Sequence, residues 1–294
     1  MLPYLLNLAT LTCINAILAL TLNFIMGYAG IFSMAHAAFF GLGAYTSAFV
    51  ALHFTNSIFV AIPVAMLACA VISLLLALPA LRVRGEYFVA ASLGLQIIGV
   101  TIFSEWKGFT GGLGGVIGIP AANVFGFEVI DPAHFLILTL IALIGVAAVV
   151  ILLCRSSFGR NLQAIRDNES AASAMGKNVA VIKMLSVAVS TSLTAIAGAL
   201  YAYYSGFINV ESFGLDASVL FMAMVIIGGT GTIWGPIVGA VILMILPSLF
   251  SYMWFLPQSE IGAIQQIAYG IVMVLLMIFR PGGLVGSSAK RAAS

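Results

Sequence analysis

Charged residues are scarce: Asp, Glu, Lys and Arg make up 7% of the 294 residues, against about 25% in a typical soluble domain. So few charges cannot cover a water-facing surface, and a soluble globular protein is excluded. Strict alternation of apolar and polar residues is also missing, so lipid-embedded backbone groups must be satisfied within helices and not around a closed barrel. There is no G-x-x-x-x-G-K-[ST] phosphate loop, no C-x-x-C, no H-E-x-x-H and no G-x-S-x-G. ATP binding in that mode, metal catalysis and covalent catalysis are therefore without candidates. The three cysteines, Cys13, Cys69 and Cys154, sit inside or at the end of apolar blocks with no pairing motif; neither a disulfide framework nor a metal site is indicated. Ionisable residues inside the apolar blocks are nearly absent, which removes the usual marks of a pump driven by ion gradients. Glu86 stands at the start of a block, where the helix dipole favours an anion. The net charge of +2 gives no support to a nucleic-acid role.

What is abundant is apolar sequence, 63% of the chain, in blocks of about twenty residues that can each cross the bilayer core as a helix. The expected spans are 4–26, 34–54, 58–81, 86–103, 133–154, 184–206, 217–229, 236–253 and 261–279. That is about nine, within a range of eight to ten, because 217–229 is too short to cross alone. The fold class is all-α, a polytopic transmembrane bundle forming one domain over 1–294. MLPYLLNLAT lacks a basic n-region and its apolar stretch runs on to Met26, as expected of a first span and not of a cleaved signal peptide. With nine spans and an exterior N-terminus, Arg82, Arg84, Arg155, Arg160, Arg166, Lys177, Lys183, Arg280, Lys290 and Arg291 all fall on the inner side, the distribution retained for cytoplasmic loops. Lys107 alone lies outside, beside Glu105, while Glu128, Asp131, Glu211, Asp216 and Glu260 occupy the other exterior segments.

The 30 glycines cluster. One group is Gly27-Tyr28-Ala29-Gly30-Ile31-Phe32-Ser33-Met34-Ala35-His36, continuing through Gly41 and Gly43 to Tyr45. The other is Gly228-Gly229-Thr230-Gly231-Thr232-Ile233-Trp234-Gly235-Pro236, ending at Gly239. Both should interrupt helices. Non-helical backbone at membrane depth survives only where protein or a watery cavity covers it, and broken helices are where transporters place solute sites. The clusters are therefore read as lining or gating a path, with His36 and Ser33 three residues apart on one helical face. The alternative for any single glycine is close helix packing, as the spacing of Gly235 and Gly239 allows, and for His36 a satisfied structural role. The polar segment 155–183 differs in kind. Within it Arg166 to Gly176 reads as a short helix with Asp167 or Asn168 at the N-cap and Gly176 as its stop. Glu169, Ala172 and Gly176 would share one face of small side chains, suited to a docking partner; the alternative is a helix resting on anionic lipid head groups.

The chain resembles the branched-chain amino acid permeases of ATP-binding cassette importers, specifically the LivM-type subunit. The resemblance rests on Leu22-Asn23 before GYAG, then Ser33 and HAAFFGLGAY (36–45); LPALRVRGEYF (78–88); TGG (110–112) with GIP (118–120); FGRNLQAIRDNESAASAMG (158–176); GALYAYY (198–204); IIGGTGTIWGPIVGA (226–240); and PGGLVG (281–286). It implies a bacterial inner-membrane protein with a periplasmic N-terminus and a cytoplasmic C-terminus. It also implies a second related, LivH-like permease, two cytoplasmic LivG/LivF-like subunits that bind the ATP and Mg this chain does not, and a periplasmic binding protein. By the same resemblance Glu169, Ala171, Ala172 and Gly176 match the E-x-A-A-x-x-x-G pattern of the coupling helix that fits a groove on the ATPase, with Arg166 and Asp167 leading into it. The path or gate would comprise Gly27, Gly30, Ser33, His36, Gly41, Gly43, Tyr45, Gln96, Gly228, Gly229, Gly231, Gly235, Pro236 and Gly239.

The chain departs from that pattern at Ala35, where a glycine is expected, and at Gln96 and Ser248, where glutamates are common. Each change removes a charge or adds bulk, so the solute can differ from leucine, isoleucine or valine; amides, urea and small aromatic acids are carried by relatives. The competing classes are a self-sufficient secondary transporter or channel, which would want buried charges, and an intramembrane enzyme, which would want a catalytic constellation.

Overall fold

The computed structural model describes residues 2–80, 86–124, 126–251, 267, 270, 271, 274, 275 and 282–285. Among them, α1 (Leu2–Asn23) runs into a π-helical turn, Phe24–Tyr28, and then into non-helical residues 29–35. Next come α2 (His36–His53), α3 (Ile58–Ala80), α4 (Glu86–Glu105) and the single turn α5 (Lys107–Thr110). α6 (Pro132–Arg155) leads to two short helices, α7 (Ser157–Asp167) and α8 (Glu169–Ala174), and then to α9 (Val179–Ser205). α10 (Leu215–Gly228) and α11 (Trp234–Ser251) follow. Among the described residues, five stretches of 18 to 27 residues are long and apolar enough to cross a membrane: Pro3–Tyr28, Ile58–Leu75, Tyr87–Glu105, Pro132–Arg155 and Val179–Ser205. α10 and Trp234–Leu246 are apolar but shorter. The chain is thus an all-α, multi-pass membrane protein.

The helices begin and end where local chemistry directs. Asp131 accepts the Ala133 N–H at 3.1 Å ahead of Pro132 at the first turn of α6, and Asn178 accepts the Val181 N–H ahead of α9; both satisfy donors a helix start leaves free. α9 stops at Gly206, whose φ of 64° is left-handed. Two short antiparallel ladders, which the sequence reading does not contain, lie in connecting segments: Val116–Ile117 with Phe207–Ile208, and Ala122–Val124 with Phe127–Val129. The span expected at 261–279 lies largely outside the described residues; those described there are helical. Arg82, Arg84, Glu260, Arg280, Lys290 and Arg291 and the side chain of Ser248 also lie outside them.

Small residues let the central helices approach. A Cβ at Gly43 of α2 would stand 2.6 Å from Ala195 Cα of α9, and one at Gly198 of α9 would stand 2.5 Å from the Phe40 carbonyl oxygen. This is the small-residue crossing that replaces hydrophobic drive between helices in lipid. The bundle has two distinguishable ends. At one, Tyr204 donates to Asn7 Oδ1 at 2.7 Å. At the other, where Arg155–Lys183 emerges, Arg166 reaches the first glycine cluster.

Candidate functional site

The two glycine clusters, some two hundred residues apart in sequence, meet at the Arg166 end. Asn23, the last residue of α1, is fully buried. Its carboxamide oxygen accepts the Gly231 N–H at 2.9 Å and its nitrogen donates to the Thr232 carbonyl at 2.7 Å. A buried amide must find such partners, and here it spends them on the backbone of the α10–α11 turn. Gly27 is packed into the same contact: a Cβ there would press on the Gly231 nitrogen and lie 2.5 Å from Asn23 Oδ1. Gly30 (φ 69°), Gly229 (φ 118°) and Gly231 (φ 74°) occupy backbone regions closed to most other residues. Thr232 caps the start of α11, accepting the Gly235 N–H at 3.1 Å, and Pro236 sits in the first turn, where a missing donor costs nothing. The carbonyls left over at the end of α10 are met by the C-terminal segment, Leu284 N–H to Ile227 and Val285 N–H to Gly228, each at 3.0 Å.

Midway along the bundle lies a second polar centre. α2 begins beside Thr21 and Thr194, whose hydroxyls each stand 3.0 Å from His36 Nε2; Thr194 is eleven residues beyond Lys183, about 16 Å up α9. A helix that starts inside the apolar layer exposes unpaired N–H groups. Here other elements supply the acceptors: Ser218 Oγ of α10 for Ala37 at 3.1 Å and Gln96 Oε1 of α4 for Ala38 at 2.8 Å. Just ahead of the helix, Ser92 Oγ of α4 accepts the Met34 N–H at 2.9 Å. The Gln96 amide nitrogen donates in turn to the Phe213 carbonyl at 2.7 Å. His36 is therefore occupied by structural partners. Ser33 is not on a helical face with it, because 29–35 is non-helical; Ser33 Oγ instead accepts the Ala35 N–H at 3.4 Å. Against α2 and α4 lies an apolar cavity of about 170 Å³, lined by Ala35, Ala38, Phe39, Leu42, Leu95 and Phe103 among others.

Other expected path residues are found at tight packing points. A Cβ at Gly41 would meet Phe213 and Phe103 at 2.7 and 2.8 Å, and Gly228, Gly235 and Gly239 each face backbone oxygens across the α10–α11 contact. Tyr45 is buried against Phe103 and Phe213, ring centroids 5.0 and 5.5 Å apart. Asn23, noted only within the Leu22-Asn23 motif, and Ser218 are not among the expected path residues. The signal for Asn23 was a lone amide closing an apolar span directly before GYAG.

The short helix expected within 166–176 is α8, with Asn168, one of the two expected N-caps, at its start; Arg166 and Asp167 close the preceding α7. Asn168 adopts extended backbone (φ −156°, ψ 102°), ending α7 and capping α8 through its side chain to the Ala171 N–H at 2.9 Å. Gly176 lies beyond α8 at φ 78°. Ala172 is buried against the rest of the chain and Glu169 is paired with Lys183 at 2.7 Å, so these two do not join exposed Gly176 in one outward face. That face is Ser170, Ala171, Ser173, Ala174 and the 67%-exposed Met175. α7 is anchored by buried Gly159, Leu162 and Ile165. From its penultimate position Arg166 donates to the Gly27 carbonyl at 2.6 Å and to Asp167 Oδ1 through Nε and Nη2 at 3.1 and 3.0 Å.

Interrupted apolar helices, joined at one end by buried polar bonds and bearing an exposed short helix at that end, make up a multi-pass membrane protein of a class that the following likenesses specify as permease components. Residues 4–279 match the family described as branched-chain amino acid transport system, permease component, and the chain belongs to that family. It is 30% identical to the high-affinity branched-chain amino acid transport system permease protein LivM of Escherichia coli K12, over 95% of this chain and 69% of that protein. To the probable branched-chain amino acid transport permease protein LivM of Methanocaldococcus jannaschii it is 23% identical, over 92% of this chain and 89% of that one. A shorter match, 33% identical over 125 residues, covers 41% of this chain and 33% of the autoinducer 2 import system permease protein LsrC of Yersinia enterocolitica. No solved structure matches.

Proposed function

We propose that this chain is the membrane-spanning subunit of an ATP-driven importer in a bacterial inner membrane, a single permease domain of about nine spans with the N-terminus outside. It moves a branched-chain or other hydrophobic amino acid, or a related amide, urea or small aromatic acid, by alternating access. A second LivH-like permease completes the pathway, two LivG/LivF-like ATPases carry the ATP and Mg, and a periplasmic protein delivers the solute. α8 is the coupling helix. The observation that carries the reading is the pairing of an exposed small-residue helix with a glycine junction at one end of the bundle. The apolar cavity beside the start of α2 suits an aliphatic side chain, and its neighbour Gln96 belongs to the gate. A secondary transporter is disfavoured because, among the described residues, no Asp, Glu, Lys or Arg is buried.

Ala171 offers the test, since it is exposed and its side chain makes no bond a substitution would break. Ala171→Trp should insert normally while uptake of leucine by the reconstituted importer falls at least about tenfold, a loss of about 1.4 kcal/mol of docking. Wild-type uptake by that variant would remove α8 from the coupling role.

A further inference from the structure

Arg166 occupies a place that neither the docking helix nor the glycine turns explain alone. It stands two residues before Asn168, the hinge between α7 and α8, and its side chain leaves that helix pair to bond the Gly27 carbonyl at 2.6 Å. That carbonyl belongs to the π-helical turn, where regular i→i+4 bonding has already been given up. The arginine also fills the space that Gly30 leaves open: a Cβ at Gly30 would lie 2.8 Å from Arg166 Cγ. A Cβ at Gly231, on the second cluster, would lie 3.7 Å from Arg166 Nη1 and 3.5 Å from the Gly27 oxygen. One guanidinium thus bonds the first interrupted segment and stands beside the second. Asp167 orients it through two hydrogen bonds to one carboxylate oxygen, and the Nη1 bond to Gly27 is charge-assisted, stronger than a neutral one. Asn23 continues the chain of bonds from the end of α1 to Gly231 and Thr232.

We propose that Arg166 is the positioning residue that transmits displacement of α8 to the broken helices, by holding the Gly27 carbonyl and, through Gly27 and Asn23, the α10–α11 turn. The proposal rests on α8 being the ATPase-docking helix. Energetic coupling passes through connected elements with two arrangements. The junction supplies the connection: Arg166 to Gly27, Gly231 to Asn23 and Asn23 to Thr232 each join a side chain to the backbone of an interrupted segment.

The test uses the complete importer, with its second permease, both ATPases and binding protein, in proteoliposomes supplied with leucine. The variants are Arg166→Gln, Arg166→Lys and Asn23→Ala, and the readouts are co-purification of the ATPases and the ATP hydrolysed per leucine imported. In Arg166→Gln the ATPases should remain bound while that ratio rises at least about fivefold, the lower end of ordinary coupling factors. Arg166→Lys, which keeps one charged donor for Gly27, should recover part of the loss. Arg166→Gln combined with Asn23→Ala should be no worse than either alone, as expected of two links in one chain. An unchanged ratio in Arg166→Gln, loss of the ATPases from it, failure of that variant to insert, or no recovery with lysine would each overturn the proposal. Failure of the underlying reading is distinguishable: the ATPases would then fail to bind the unsubstituted chain.

Discussion

Gly27→Ala should abolish uptake, although it adds a single methyl group at a backbone conformation alanine tolerates. The methyl has nowhere to go. It would press on the Gly231 nitrogen, lie 2.8 Å from Gly231 Cα and crowd Asn23 Oδ1 at 2.5 Å. Two of these neighbours are main chain and cannot rotate aside, so the α1 end and the α10–α11 turn must part. Separation breaks both Asn23 bonds and draws the Gly27 carbonyl away from Arg166. Overpacking of a close contact costs about 1–3 kcal/mol, and burying the freed Gly231 N–H and Thr232 carbonyl adds about 1–3 kcal/mol for each group left unpaired. A loss of that size exceeds ordinary tolerance in a protein of marginal stability. Gly145→Ala is the matched comparison, a glycine in mid-helix with nothing within 4 Å of the added atom; it should retain uptake and gain slightly in stability. Measured side by side by leucine uptake and by thermal unfolding in detergent, Gly27→Ala should fail on both and Gly145→Ala on neither. Retention of uptake by Gly27→Ala would mean that the junction opens without consequence.

The helices were legible because lipid imposes a simple rule, and apolar runs of the right length have few alternatives. The sequence places α1, α3, α6 and α9 within a few residues of their observed limits, and 217–229, judged too short to cross alone, is the short helix α10. The glycine clusters were legible as breaks. Their partnership was not: Asn23 and Gly231 are 208 residues apart, and a bond between them leaves no trace in local pattern. The short helix capped by Asn168 and stopped by Gly176 was legible because both signals are local: a side chain that accepts the Ala171 N–H and a residue free to take a φ of 78°. Its facing was not legible. Glu169 turns back to Lys183 and Ala172 inward, toward neighbours that spacing alone does not reveal. Ser33 fails similarly, since helical spacing has no meaning across 29–35.

Gln96→Leu should be the most damaging substitution in the interior away from that junction. Its bonding shows what the amide supplies. Its oxygen takes the Ala38 N–H at 2.8 Å and is approached by the Ser218 hydroxyl at 3.4 Å, while its nitrogen donates to the Phe213 carbonyl at 2.7 Å. Leucine offers none of these, and the site is fully buried, so no water replaces them. The Ala38 N–H and the Phe213 carbonyl would both be stranded, at about 1–3 kcal/mol for each, and the start of α2 would lose its attachment to α4. Gln96→Glu isolates the donor. In its ionised form the carboxylate still accepts from Ala38 but leaves the Phe213 carbonyl without a donor and buries an unpaired charge, so it too should fall below the unsubstituted protein. Thr101→Val on the same helix is the control, because Thr101 is exposed and bonds only its own turn, to Ile97. Thermal unfolding in detergent should rank the threonine variant beside the unsubstituted protein and both glutamine variants well below it. Equal midpoints for all four would show that the α2 start is held by packing and not by Gln96.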